Sequence, residues 1–241
     1  MAGFTQHYQQ GYLVKNLMLL LQADWMVEAE TLKLVKESLP ILMDFYKSKG
    51  ADDLKNLPIR KAIDEPLKET YTVPLFSAPF CTMLLDEIQN MEQHFAFEPN
   101  AEEDELRQIP EIVLQERVPD LYIALMRIVY SVMNPIFLAL WMRHATGGGI
   151  QIANYNLKDK TQGAWHHDID SSISVVVPLN TEDYEGGGTE FYSRGVLEPL
   201  PTGTALMFPG FTHMHRGLSV KSGNRYLLVF WLTFDEDEEM I

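Results

Sequence analysis

The chain changes its apolar period part-way along. Up to about residue 145, apolar residues recur at helical spacing; after Gly147-Gly-Gly149 they alternate in short runs between Gly, Pro, Asn and Asp clusters. Alternation at period two places successive side chains on opposite faces, which is the mark of a half-buried strand. IQIANY alternates in this way, SISVVVPL is rich in β-formers, and TEFY, TALMF and RYLLVFWLTF follow as further strand runs. Short strands at this regular spacing predict a sandwich, jelly roll or barrel. Before the switch, residues 12–26 and 28–46 read as amphipathic helices, the second bending or stopping at Pro40. Residues 48–68 are polar, are interrupted by Pro58 and Pro66, and read as a connection between subdomains. Ser77-Ala-Pro reads as an N-cap followed by a first-turn proline, opening a helix to about Glu92. Residues 120–140 read as a further helix with a kink at Pro135.

Charge and cysteine content exclude several classes. The 241 residues carry 19 basic and 34 acidic side chains, a formal charge of −15. Nucleic-acid surfaces show the opposite balance, so no nucleic-acid partner is expected, whereas a cationic partner suits this field. The acidic runs at 102–105 and 235–239 read as a solvated loop and tail. The one cysteine, Cys81, rules out a disulfide framework or a cysteine zinc site within the chain, which suits a reducing compartment. The apolar run at 17–21 is too short for a membrane span and poor as a signal peptide, and the C-terminus resembles no retention tail. The expectation is a cytoplasmic protein with no membrane partner.

Four of the seven histidines fall in two windows, GAWHHDID at 163–170 and FTHMHRG at 211–217. On an extended chain, residues two apart share a face, so His166 and Asp168 can converge on one ion while His167 points away. Two imidazoles and a carboxylate leave open coordination positions, the usual holder of Fe(II) in non-haem oxygenases. His213 and His215 are both candidates for the third ligand. Arg225 opens the most apolar run, and alternation puts it on one face with Leu227, Val229, Trp231 and Thr233. If that face is interior, the guanidinium needs an anion, and arginine grips a carboxylate through two parallel hydrogen bonds. DYEGGGTEF lacks a phosphate-binding glycine order and reads as a tight loop feeding a strand. Gly210 and Gly217 read as turn residues, and Cys81 as a buried small apolar side chain.

Together these windows resemble the 2-oxoglutarate- and iron-dependent oxygenases, and more narrowly the oxygenase domain of procollagen lysyl hydroxylases. The similar segments are HHD, PLN, DYEGGG, PTGTALMFPGFTHMHRGL and GNRYLLVFW, with fainter likeness in YTVPLFSAPFCTMLLDEI and IPEIVLQ. The resemblance covers about 71–241; residues 1–70 have no counterpart. It implies an α+β fold, a double-stranded β-helix (jelly roll) core with packed helices, preceded by an N-terminal helical region at 1–70. In that family the distal iron ligand lies ten residues before the arginine that binds the far carboxylate of 2-oxoglutarate. His215 is ten residues before Arg225 and His213 is twelve. The resemblance therefore implies His166, Asp168 and His215 as iron ligands and Arg225 as the co-substrate anchor. It implies that Tyr155, eleven residues before His166, hydrogen-bonds the co-substrate, and leaves His167 and His213 supporting or structural. The segment between Asp168 and Asn180 is one residue longer than the family form and adds Asp170; Val176 stands where the family has asparagine.

The activity implied is hydroxylation of an unactivated C–H bond with Fe(II), 2-oxoglutarate and O2, with ascorbate as an accessory reductant. The expected substrate is a lysine in a protein, peptide or free amino acid, with Asp170 and Glu185 named as candidate partners for its ammonium. The alternatives are a prolyl or other side-chain hydroxylase, a cupin-like metal protein that does not use 2-oxoglutarate, and a binding module that has lost catalysis. Arg225 opposes the second, since its strand position has no purpose without an anion.

Overall fold

In the computed structural model, residues 23–48, 54, 56–93, 97 and 109–235 are described. The expected helix at 12–26 lies outside these residues except for one turn, α1 (Ala23–Met26). The acidic runs at 102–105 and 235–239 also lie outside them, apart from Asp235.

The alternating runs form strands. In chain order these are β1 (Asp64–Leu67), β2 (Thr70–Pro74), β3 (Glu111–Val113), β4 (Ala145–Asn156), β5 (Ile173–Pro178) and β6 (Glu185–Gly186). There follow β7 (Thr189–Phe191), β8 (Gly195–Leu197), β9 (Thr204–Phe208), β10 (His215–Gly217), β11 (Val220–Ser222) and β12 (Asn224–Phe234). Seven of them make one sheet in the order β1-β2-β9-β5-β12-β4-β3, every neighbouring pair antiparallel. β10, β7 and β8 make a second sheet, and β11 pairs with β6.

Period two divides β12 between two environments. Tyr226, Leu228, Phe230 and Leu232 join the main core, whereas Leu227 and Val229 pack with Ala153 and Tyr155 on the other face. Each fully buried large apolar side chain of this kind contributes roughly 1.5–3 kcal/mol. Gly147-Gly-Gly149, after which the sequence predicts strands, already lies inside β4. Gly148 has φ +147°, and a side chain there would run into the Trp231 carbonyl oxygen of β12.

The helices are α2 (Ala29–Ser48), α3 (Ala78–Glu92), α4 (Leu114–Arg117), α5 (Pro119–Ile128) and α6 (Asn134–Trp141). α2 runs through Pro40 without stopping. Pro40 and Lys36, whose carbonyl loses its helical partner, are both on the exposed face, where water can replace the bond. α3 starts at its cap as read from the sequence: Ser77 Oγ accepts from Phe80 N–H at 3.2 Å. The expected kink at Pro135 takes the form of a π-helical stretch, Val129–Met133, between α5 and α6. The wider turn accommodates the proline ring and its missing N–H. The continuous helix Pro119–Trp141 is long and apolar enough to cross a membrane, but 72% of its most apolar window is buried inside the fold. Residues on both sides of position 70 share one core: Met26, Leu34 and Ile59 cluster with Phe80, Ile136 and Phe230. Within the interval 48–68, β1 joins the large sheet.

Candidate metal centre and co-substrate pocket

The two histidine windows meet across an isolated antiparallel bridge. His166 N–H donates to the His215 carbonyl at 3.0 Å, and His215 N–H donates to the His166 carbonyl at 2.9 Å. The HHD segment is thus extended but belongs to no regular strand. Two-residue alternation still holds: His166 and Asp168 face inward and His167 is exposed.

Pairing brings three ligand types together. His166 Nε2 lies 3.4 Å from Asp168 Oδ1, and His215 Nε2 lies 3.8 Å from Asp168 Oδ2. One potential ligand atom from each residue lies within 4.8 Å of the other two. The second nitrogen of each ring fixes its tautomer. His166 Nδ1 is 2.9 Å from the Ala164 carbonyl oxygen, and His215 Nδ1 is 2.9 Å from the His213 carbonyl oxygen. A carbonyl only accepts, so each Nδ1 carries a proton; each Nε2 faces Asp168, donating to the carboxylate when protonated and free to bind a metal when not. Burial pushes the His215 imidazole down to about 4, outweighing the Asp168 carboxylate, which favours the charged ring. The ring is therefore neutral, as a ligand must be, at physiological pH. Burial alone would raise the Asp168 carboxyl. The hydrogen bond from His166, the fields of His215 and His166 and a bond from Ser174 Oγ outweigh it and hold the carboxyl below the ordinary range. Gly210 makes this possible, since a side chain there would collide with Ser174 Oγ and the Asp168 and Ser171 side chains.

Arg225 lines the same pocket as the three ligands, 4% exposed. Its Nε and Nη1 are buried with no hydrogen-bond partner among the described residues. It pairs in register with Tyr155, over whose ring its Cζ sits at 5.2 Å. Gly187, at φ +77°, lets the DYEGGG loop pass close by: a β-carbon there would lie 3.2 Å from Arg225 Cδ. A cation buried this far without a counter-charge is costly, so the site requires an anion. A three-ligand metal set and an anion anchor in one pocket suit a metal that binds an acidic co-substrate.

No family model matches the chain. Human procollagen-lysine,2-oxoglutarate 5-dioxygenase 2 is 25% identical over 194 residues, which cover 75% of this chain and 26% of that protein. The multifunctional procollagen lysine hydroxylase and glycosyltransferase of Caenorhabditis elegans is 26% identical over 187 residues, covering 70% and 24%. The chain thus spans about a quarter of the length of the curated relatives it matches. Among solved structures, a non-haem α-ketoglutarate-dependent carbocyclase from nogalamycin biosynthesis superposes with TM-score 0.53 at 12% identity, over 70% of this chain and 80% of that one. That likeness is one of fold. In sequence the chain is thus similar to procollagen-lysine 2-oxoglutarate dioxygenases, and in fold to an α-ketoglutarate-dependent enzyme.

His213 is separate from the cluster of candidate ligands. It is buried against Phe208 and Phe191, and burial, then the charge of Arg194, lower its pKa. Asp170 and Glu185 do not reach the pocket; both are exposed and neither lines it. Asp170 would share the face of Asp168 if the chain stayed extended, but it turns at once, with Ser171 N–H donating to the Asp168 carbonyl at 3.1 Å. Val176 does line the pocket. Gly217 is no turn residue: it lies in β10, where a β-carbon would come within 2.7 Å of the Tyr155 hydroxyl. Sequence reasoning missed Ser174, Glu111 and Gln151. Each is a lone polar residue in an apolar strand run, and that interruption is the signal that marks them.

Proposed function

We propose that this chain is a 2-oxoglutarate- and Fe(II)-dependent oxygenase that hydroxylates an unactivated C–H bond of a lysine side chain, in a protein, peptide or free amino acid, and that its sheets form a double-stranded β-helix. The reading is carried by one observation: His166, Asp168 and His215 converge in the pocket that also buries the unpaired guanidinium of Arg225. Bound Fe(II) with 2-oxoglutarate and O2 supplies the oxidising power, with succinate and CO2 as co-products. The chain's part is positioning. His166, Asp168 and His215 would hold the metal. Arg225 takes the far carboxylate of 2-oxoglutarate, and Tyr155 flanks it. Leu227, Val229 and Trp231 give the pocket an apolar wall that keeps water from the reacting centre. The lysine substrate is supported by the procollagen-lysine relatives and by the net charge of −15, which suits a cationic partner.

Matched peptides carrying lysine or proline, incubated with the enzyme, Fe(II) and 2-oxoglutarate, test this by mass spectrometry. The lysine peptide should gain one oxygen, dependent on 2-oxoglutarate. Oxygen on the proline peptide alone would assign the chain to prolyl chemistry.

A further inference from the structure

The pocket contains an acidic side chain at a place where neither metal nor co-substrate calls for one. Glu111, on the edge strand β3, is 8% exposed and lines the cavity with the three ligands. Gln151, on β4, is 5% exposed and lines it too; its Oε1 is buried with no hydrogen-bond partner among the described residues. Glu111 pairs with Ala153, and Val113 pairs with Gln151. Glu111 and Gln151 are therefore diagonal neighbours on one face, a spacing of about 7–8 Å that long side chains span. Arg225, opposite Tyr155, marks the anion-binding end. Gln151 stands four residues further along β4, about 13 Å of strand. Across from Gln151 lies Val229, and Trp231 follows on the same face.

We infer that Glu111 and Gln151 form a buried subsite for the terminal ammonium of an aliphatic amine substrate, whose alkyl stem lies along Val229 and Trp231. The inference rests on the reading of the site as a lysine oxygenase and names the residues that select the side chain. An ammonium is compact and offers three donors with no acceptor, which matches a carboxylate beside an amide oxygen that lacks a donor. Satisfying a buried acceptor with a charged donor discriminates strongly against a ligand without one. A lysine carbon near the end of its chain can be oxidised only if its ammonium enters the pocket with it. The acid that receives it must therefore be buried, as Glu111 is and Asp170 is not.

Calorimetric titration of the anaerobic Fe(II)- and 2-oxoglutarate-loaded enzyme with n-butylammonium and with 1-butanol tests the subsite. The ammonium should bind about tenfold or more tightly than the alcohol. Glu111→Gln should erase that preference, Glu111→Asp should keep part of it, and Gln151→Leu should reduce it. Titration of 2-oxoglutarate into each variant reports whether the pocket is formed. Equal binding of amine and alcohol to the native enzyme, or a preference that survives Glu111→Gln, overturns the subsite. Peptide oxidation separates this from the wider reading. If lysine peptides are oxidised equally by Glu111→Gln, the subsite falls and the lysine reading stands. If the amine preference depends on Glu111 but no lysine is oxidised, the subsite stands and the lysine reading falls.

Discussion

Gly217 carries no side chain because Tyr155 fills the space above it. Gly217→Ala should cost about 1–3 kcal/mol of stability and displace the Tyr155 ring that flanks Arg225, weakening 2-oxoglutarate binding. Thermal unfolding and a co-substrate titration read the two effects separately. Arg225 acts at the same end of the pocket by charge. Its replacement by alanine removes two hydrogen bonds to an anion, about 3 kcal/mol together, so KM for 2-oxoglutarate should rise about a hundredfold. An unchanged KM would refute the anchor role. Cys81 shows the opposite use of burial: the apolar core pushes its thiol up to about 12, the nearby Glu182 charge adding to the shift. Only the thiolate reacts, and almost none is present at pH 8. A thiol reagent should therefore label Cys81 only as fast as the protein unfolds; rapid labelling of the native protein would contradict the assignment.

At the scale of elements, Ser77 ties two helices together. Its hydroxyl caps α3 and donates to the Trp25 carbonyl of α1 at 2.7 Å. Ser77→Ala should cost about 1–2 kcal/mol and lower the Tm by about 4 °C, measured by circular dichroism. An unchanged Tm would show that the cap contributes nothing. This cap was legible because it depends on three adjacent residues, and so were β9 and β12, apolar runs bounded by turn residues. Pro40 was misleading. Local chemistry says that a proline breaks a helix, but burial of Leu32, Leu34, Val35 and Leu42 on one face holds α2 together across it. The glycine triplet, placed by the sequence ahead of the strands, lies inside β4, and only β12 beside it shows why: a Gly148 side chain would meet the Trp231 carbonyl.

Over the whole molecule, the site is built by register. β12 pairs with β4 to set Arg225 against Tyr155, and the bridge between His166 and His215 closes the metal cluster. Alternation within the sequence was enough to join His166 to Asp168 and to align Arg225 with Val229 and Trp231. It could not choose between His213 and His215, which share a parity; the spacing shared with a known family made that choice, and long-range pairing gives it a geometry. Glu111 escaped notice because its neighbours in space, Gln151 and Ala153, lie some forty residues away in the chain. The measurement closest to the central claim is succinate release from 2-oxoglutarate with added Fe(II), compared among the native protein, His215→Ala and His213→Ala. The native protein should turn over, His215→Ala should lose all activity, and His213→Ala should keep most of it. Equal loss in both variants, with folding intact, would contradict the metal centre described for this chain.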